Sequence, residues 1–246
     1  MFIKLQPLLY SLAFFIGLES VLFFHRHVFA IAIFLLLFSI YGGRKLGGRW
    51  KYSVLPALFS ISSVSLFYLI ALGYEQQIFC ALSTLMYYLS MLGAYRLGQY
   101  GEDKTARGMN MAATVSTIFF TYSSAYGLYL NFLVPLYLLM IVYLVVTLLV
   151  SYQHLSIVKS DDKKTVWIYS FILALIMSEL IWTMNFWPFG YLTTGVIALI
   201  LYYIIWDVIQ SYFQDILSKK RVLSNMILFT FLIGFILLSA KWIPVI

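Results

Sequence analysis

The chain is cut into apolar runs of about twenty residues, the length at which a helix crosses ~30 Å of hydrocarbon. One such run, Thr165–Asn185, is followed after only a Phe-Trp-Pro step by a second, Phe189–Phe213. Hydrocarbon offers no partner for a free backbone N–H or C=O, so segments of this kind fold as helices. Pro188 lacks an amide hydrogen and holds its own φ, which suits the first turn of a new helix. Two spans joined so tightly are antiparallel neighbours. Composition removes the soluble alternative: 63% of the chain is hydrophobic and 10% charged, where soluble domains carry about a quarter charged residues. Disorder and collagen-like structure are excluded by the same figures. A single cysteine, Cys80, excludes an internal disulfide and a cysteine-based metal centre.

Apolar runs set against their breaks predict an all-α, polytopic membrane bundle of about nine transmembrane helices. They cover residues 7–24, 28–42, 53–73, 77–98, 109–129, 132–152, 165–186, 189–212 and 223–243. Only His25-Arg26-His27 separates the first two, and two short crossings just fit. No small-residue cleavage site follows the first run, which is therefore expected to be an uncleaved helix. The expected domain is single, residues 1–246, with no soluble part.

The basic residues set the orientation. All but two of the 16 lysines and arginines fall on one side: Lys4; Arg44, Lys45, Arg49 and Lys51; Arg96, Lys104 and Arg107; Lys159, Lys163 and Lys164; Lys219, Lys220 and Arg221. Arg26 and Lys241 alone fall on the other. Basic loops stay in the cytoplasm, so the N-terminus is expected inside and the C-terminus outside, in a bacterial-type cytoplasmic membrane. The architecture is then four hairpins plus a closing helix. The net charge of +7 belongs to these loops and implies contact with anionic lipid rather than nucleic acid. Trp50, Trp167 and Trp206 map to the inner headgroup zone, Trp187 and Trp242 to the outer one.

Two carboxylates lie well inside apolar runs. Glu179 and Glu19 both sit six to eight residues before an outer turn, and Leu18-Glu19-Ser20 echoes Ser178-Glu179-Leu180. An intramembrane carboxylate must be protonated, paired or turned to a polar cavity. Glu19, Glu179, Trp182 one turn beyond it, and Asn185 are therefore the candidate polar centre. The structural counterparts are a Glu19–Arg26 pair, an interhelical hydrogen bond from Glu179 near Asn185, and core packing of Trp182.

The remaining polar features favour packing or solvation. Ala113, Thr117, Thr121 and Ser124 form one stripe at 4, 4 and 3 spacing, and Ser60–Ser65 is similar; such stripes let helices approach closely. The Gly42–Arg49 segment lacks the Gly-Lys-Ser/Thr ending of a phosphate loop. Asp161 and Asp162 are flanked by lysines, Asp207 sits beside the interfacial Trp206, and Lys241 is a terminal anchor. His25, His27 and His154 have no partners for a metal. No catalytic motif, cofactor motif or metal set is found. Transport or binding of a small solute or lipid within the bundle leads. The alternatives are an assembly subunit, with a membrane-protein partner or in a homo-oligomer, and, behind it, an enzyme on a lipid-linked substrate.

Overall fold

The structure, a computed structural model, describes residues 5–100, 103–132, 134–158 and 162–240. Lys4, Lys159, Asp161, Lys241, Trp242 and Pro244 of the sequence reading lie outside them. Among the described residues every regular element is helical: α1 Leu5–Phe23, α2 Val28–Gly47, α3 Val54–Leu69, α4 Gly73–Gln99, α5 Lys104–Asn131, α6 Leu136–Val158, α7 Lys163–Met184, α8 Tyr191–Phe213 and α9 Lys219–Ser239. Short 3-10 turns, His25–His27 and Trp50–Ser53, link α1 to α2 and α2 to α3. Eight of the nine helices are long and apolar enough to cross a membrane, α3 together with the 3-10 turn before it as Trp50–Leu69. The ninth is α5, the longest at 28 residues, whose run of Thr and Ser lowers its hydropathy.

Local chemistry places the helix ends. Asp103 caps α5 by accepting from the Ala106 N–H at 3.1 Å, and Asp162 caps α7 by accepting from Thr165 N–H at 3.0 Å. Each satisfies an amide the first helical turn leaves bare. The Asp103 carboxyl is held below its ordinary range, chiefly by the Ala106 N–H and also by Arg96, whose guanidinium lies 2.6 Å away. Pro7 and Pro56 fall in the first turns of α1 and α3, and Pro135 immediately precedes α6. Pro188 lies three residues before α8, in a turn closed by the Trp187 N–H donating to Met184 O at 3.0 Å.

The chain divides into two compact units, Met1–Thr121 and Tyr122–Ile246. In the first, α1 packs on α4, and α2 on both α3 and α4. Its core is aromatic: Phe14 stacks on Tyr87 at 4.2 Å and Phe59 leans on Phe120 at 5.4 Å. The Tyr87 hydroxyl, fully buried, meets Ser39 Oγ at 2.8 Å. In the second unit α6 and α7 form the most extensive helix pair, α8 packs on α7 and α6, and α9 rests on α8. Its core holds a stacked pair, Tyr122 and Tyr143, at 4.1 Å.

The glycine-rich basic segment is a packing device rather than a loop. Helix α2 runs on to Gly47, and Gly48, with φ +70, closes it by donating its N–H to Arg44 O at 2.9 Å. A side chain at Gly98 of α4 would stand 2.5 Å from Gly47 O and 2.9 Å from its Cα. The two backbones therefore touch, with no flexible atom between them to yield. Replacing Gly98 by Ala should destabilise the fold by about 1–3 kcal/mol through overpacking. The same change at Gly73, where an added Cβ meets nothing within 4 Å, should leave stability unchanged or slightly higher. Thermal unfolding of the two variants in detergent, followed by size-exclusion chromatography, checks the contrast.

Candidate functional site

In the first unit, Glu19 lies four residues before the end of α1, about 6 Å along the axis. Its carboxyl neighbours the thiol of Cys80 on α4, and Arg26 is exposed. Cys80 has no solvent exposure. Glu19 Oε1 is sealed from solvent and has no hydrogen-bond partner. Such an atom is costly unless it is protonated or meets a donor.

Toward the end of α1 opens a pocket of about 320 Å³, lined by Val21 and Leu22 of α1, Phe67 and Tyr68 of α3, Ile70, Ala71 and Gln76, with Glu19 itself not in the lining. Gln76 donates from Nε2 to Ile70 O at 2.7 Å, which fixes the amide at the rim. Gln76 and Cys80 are one turn apart on the same face of α4. The Glu19–Cys80 pair thus lies one turn deeper than the lining glutamine.

Helix α4 continues this polar line inward. Cys80, Ser83, Tyr87 and Ser90 follow at 3, 4 and 3 spacing and are all buried, so they share one helix face. The Ser83 and Ser90 hydroxyls, and Ser63 on α3, have no hydrogen-bond partner. Buried hydroxyls without partners are uncommon, and water or a polar ligand is the usual complement. Sequence reasoning missed this stripe because its serines are spread across a tyrosine- and leucine-rich run. Of the α3 serines that it singled out, Ser60 donates to Ala57 O and Ser62 to Phe59 O, while Ser63 is left without a partner.

Glu179 and Trp182 stand differently. On α7 the residues Ser170, Leu173, Ala174, Met177, Ser178 and Ile181 are buried, and Glu179 and Trp182 are on the opposite, exposed face. Trp182 is 48% exposed and packs edge-on against Phe186 at 5.8 Å, not into the core. Asn185 is half-buried at the helix end, its N–H donating to Ile181 O.

The second unit buries its polarity elsewhere. The Tyr122 and Thr147 hydroxyls meet at 2.6 Å, and Ser151 meets Tyr202 at 3.2 Å. His154 falls inside α6, which extends six residues past its expected end, and its ring lies 4.9 Å from Trp206. Trp206 is buried. Asp207 accepts from Asn225 Nδ2 at 2.7 Å, which ties α8 to α9. Among the described residues no group of three or more His, Cys, Asp or Glu is placed to hold a metal ion.

The chain belongs to a protein family. It is the one described as "Protein of unknown function (DUF5656)", which matches residues 39–239. The matched residues include Gln76, Cys80, Ser83, Ser90 and Glu179, while Glu19 precedes them. No curated protein and no solved structure matches the chain.

Cys80 gives the Glu19 site a direct readout, because it is the chain's one thiol. In the folded protein a bulky maleimide should leave it unlabelled over the time that fully labels the unfolded chain. Shortening the wall with Glu19→Ala should make the folded protein label measurably faster. Intact-mass spectrometry of timed samples reads both results.

Proposed function

We propose that the protein binds a small solute within its first unit and carries it across the membrane, with Glu19 as the polar centre. The single observation that carries this reading is Glu19 Oε1, sealed without a hydrogen-bond partner, one helical turn from the pocket-lining Leu22 and at the head of a buried polar face. A carboxylate in hydrocarbon favours a proton or a cationic group as its partner. The solute class that fits is a small cation, or a small polar molecule moved together with a proton. The unpartnered hydroxyls of Ser83 and Ser90 supply donors and acceptors along about the next three turns of α4.

The orientation that goes with this reading has the N-terminus inside and the pocket opening outward, in a bacterial-type cytoplasmic membrane. It rests on the bias of basic residues to one side. Arg44 and Lys45 are exposed, and the Arg44 guanidinium lies 4.2 Å from the Trp50 ring centre. A cation beside an interfacial tryptophan suits contact with anionic headgroups. An apolar groove of about 500 Å³ between α1 and α2, lined by residues such as Ile16, Gly17 and Phe34, suits a lipid chain instead. The assembly-subunit reading has its own support in the exposure of Glu179.

In proteoliposomes, Glu19→Gln should abolish proton- or cation-coupled flux while leaving the melting profile in detergent unchanged. The probes are sodium, potassium and methylammonium, with an internal pH dye. Equal flux from the variant and the native chain, or no flux from the native chain with any probe, removes the transport reading. Gln76→Cys in a Cys80→Ser background should label from outside intact cells with an impermeant maleimide. Labelling only after permeabilisation reverses the orientation.

A further inference from the structure

Glu179 is a carboxylate on the wrong side of its helix. Helix α7 has 22 residues, about 33 Å at 1.5 Å per residue, and Glu179 lies five residues before its end. That places it about 8 Å inside the turn, within the hydrocarbon. Buried positions of α7 recur at helical spacing on one face. Ile168, Phe171, Leu175, Trp182 and Phe186 are exposed on the other, and Glu179 is exposed among them. Among the described residues it has neither a hydrogen bond nor an ion pair. The lysines of its own helix, Lys163 and Lys164, lie about 22 Å away along the axis, beyond the reach of either side chain.

We propose that this face of α7 docks one transmembrane helix of a different protein, and that this helix carries a lysine or arginine at the depth of Glu179. Charge complementarity selects the occupant. An unpaired carboxylate against acyl chains is expensive, and a basic side chain on a facing helix removes that cost. A second copy does not fit the same face. Two chains in the same orientation are related by an axis along the membrane normal, which sets equal depths opposite one another. The two Glu179 carboxylates would then meet, and like charges in one apolar contact disfavour each other. Trp182 and Phe186, edge to face at 5.8 Å, form an aromatic shelf one to two turns from the carboxylate. Aromatic anchors beside a desolvated charge are typical of the energetic centre of an interface. The spacing 175, 179, 182 is the 4, 3 repeat along which one helix packs on another, and Phe186 extends the patch into the turn just past α7.

The test is photocrosslinking of the full-length chain in its native membrane, with a photoreactive residue at Leu175 or at Trp182. The expected product is an adduct with a distinct integral membrane polypeptide. Sequencing of its crosslinked span should find Lys or Arg in the half nearest the α7–α8 turn. Its yield should fall at least about tenfold in Glu179→Lys, the least that loss of a desolvated charge pair implies. Exchanging the partner's base for Glu should restore it. Glu179→Gln, which keeps the shape and cannot block insertion by its charge, should also lower the yield, by a smaller factor. A probe at Ile141, on the exposed face of α6, should not capture that polypeptide. An adduct with the mass of two copies, adducts with lipid alone, or a polypeptide adduct whose yield is indifferent to both substitutions would overturn the proposal.

Discussion

Every backbone amide that enters hydrocarbon needs a partner from its own helix or a neighbouring group. That requirement dictates helices, nine among the described residues, with short connections, and it also explains the ends. Asp103 and Asp162 cap α5 and α7 where water is nearby. Gly48 closes α2 in the left-handed region. Once the backbone is satisfied in this way, side chains alone decide how the helices meet. Helix contacts in lipid gain little from burying apolar surface, since the lipid tails are just as apolar. They depend on close approach and on hydrogen bonds across the contact. The first unit shows both: Gly47 and Gly98 let α2 and α4 touch, and Ser39 joins Tyr87 between the same two helices.

The second unit answers the same requirement with aromatic hydroxyls. Tyr122, Thr147 and Tyr143 form a closed set, because the Tyr143 hydroxyl donates to Tyr122 O while Tyr122 meets Thr147. Ser151 and Tyr202 repeat the pattern one turn along α6. These groups hold helices together, and they use up the hydroxyls that take part. Other buried hydroxyls stay unengaged: Ser123 and Ser211 in the second unit, and Ser83 and Ser90 on the face of α4. Ser83 and Ser90 are equally buried, yet nothing in the protein engages them. A polar group that a fold needs for cohesion is normally engaged.

Much of this was legible in the sequence. Apolar run length gives the number and order of the helices, because it reports the thickness of the solvent. Ends are less legible. The glycines after Ile40 look like a loop by composition, but they are small residues that a neighbouring backbone approaches, and α2 continues through them. His154 looks like a loop residue because polarity rises after Val150. In the structure α6 carries it inward against Trp206. Hydropathy measures affinity for lipid and cannot tell a polar residue that leaves the membrane from one buried inside a bundle. Ser83 and Ser90 are hidden for a related reason: their significance lies in a missing partner, which is a property of three dimensions.

The two intramembrane carboxylates carry this distinction furthest. Glu19 and Glu179 sit in similar local sequences, at similar distances from a helix end, and the sequence assigns them one role. Their helices are turned differently. On α1, Phe14, Leu18 and Val21 are fully buried or nearly so, and Glu19 follows Leu18 closely enough to keep one oxygen sealed beside Cys80. On α7 the buried set is Leu173, Ala174, Met177 and Ile181, which leaves Glu179 on the far side. An inward carboxylate is solvated by whatever enters its own unit. An outward one must be neutralised by a proton, a lipid headgroup or a basic group supplied from outside. Which of the two applies is set by the phase of the helix, a rotation of about 100° per residue. The same residue type is therefore sealed inside one unit and exposed on the surface of the other.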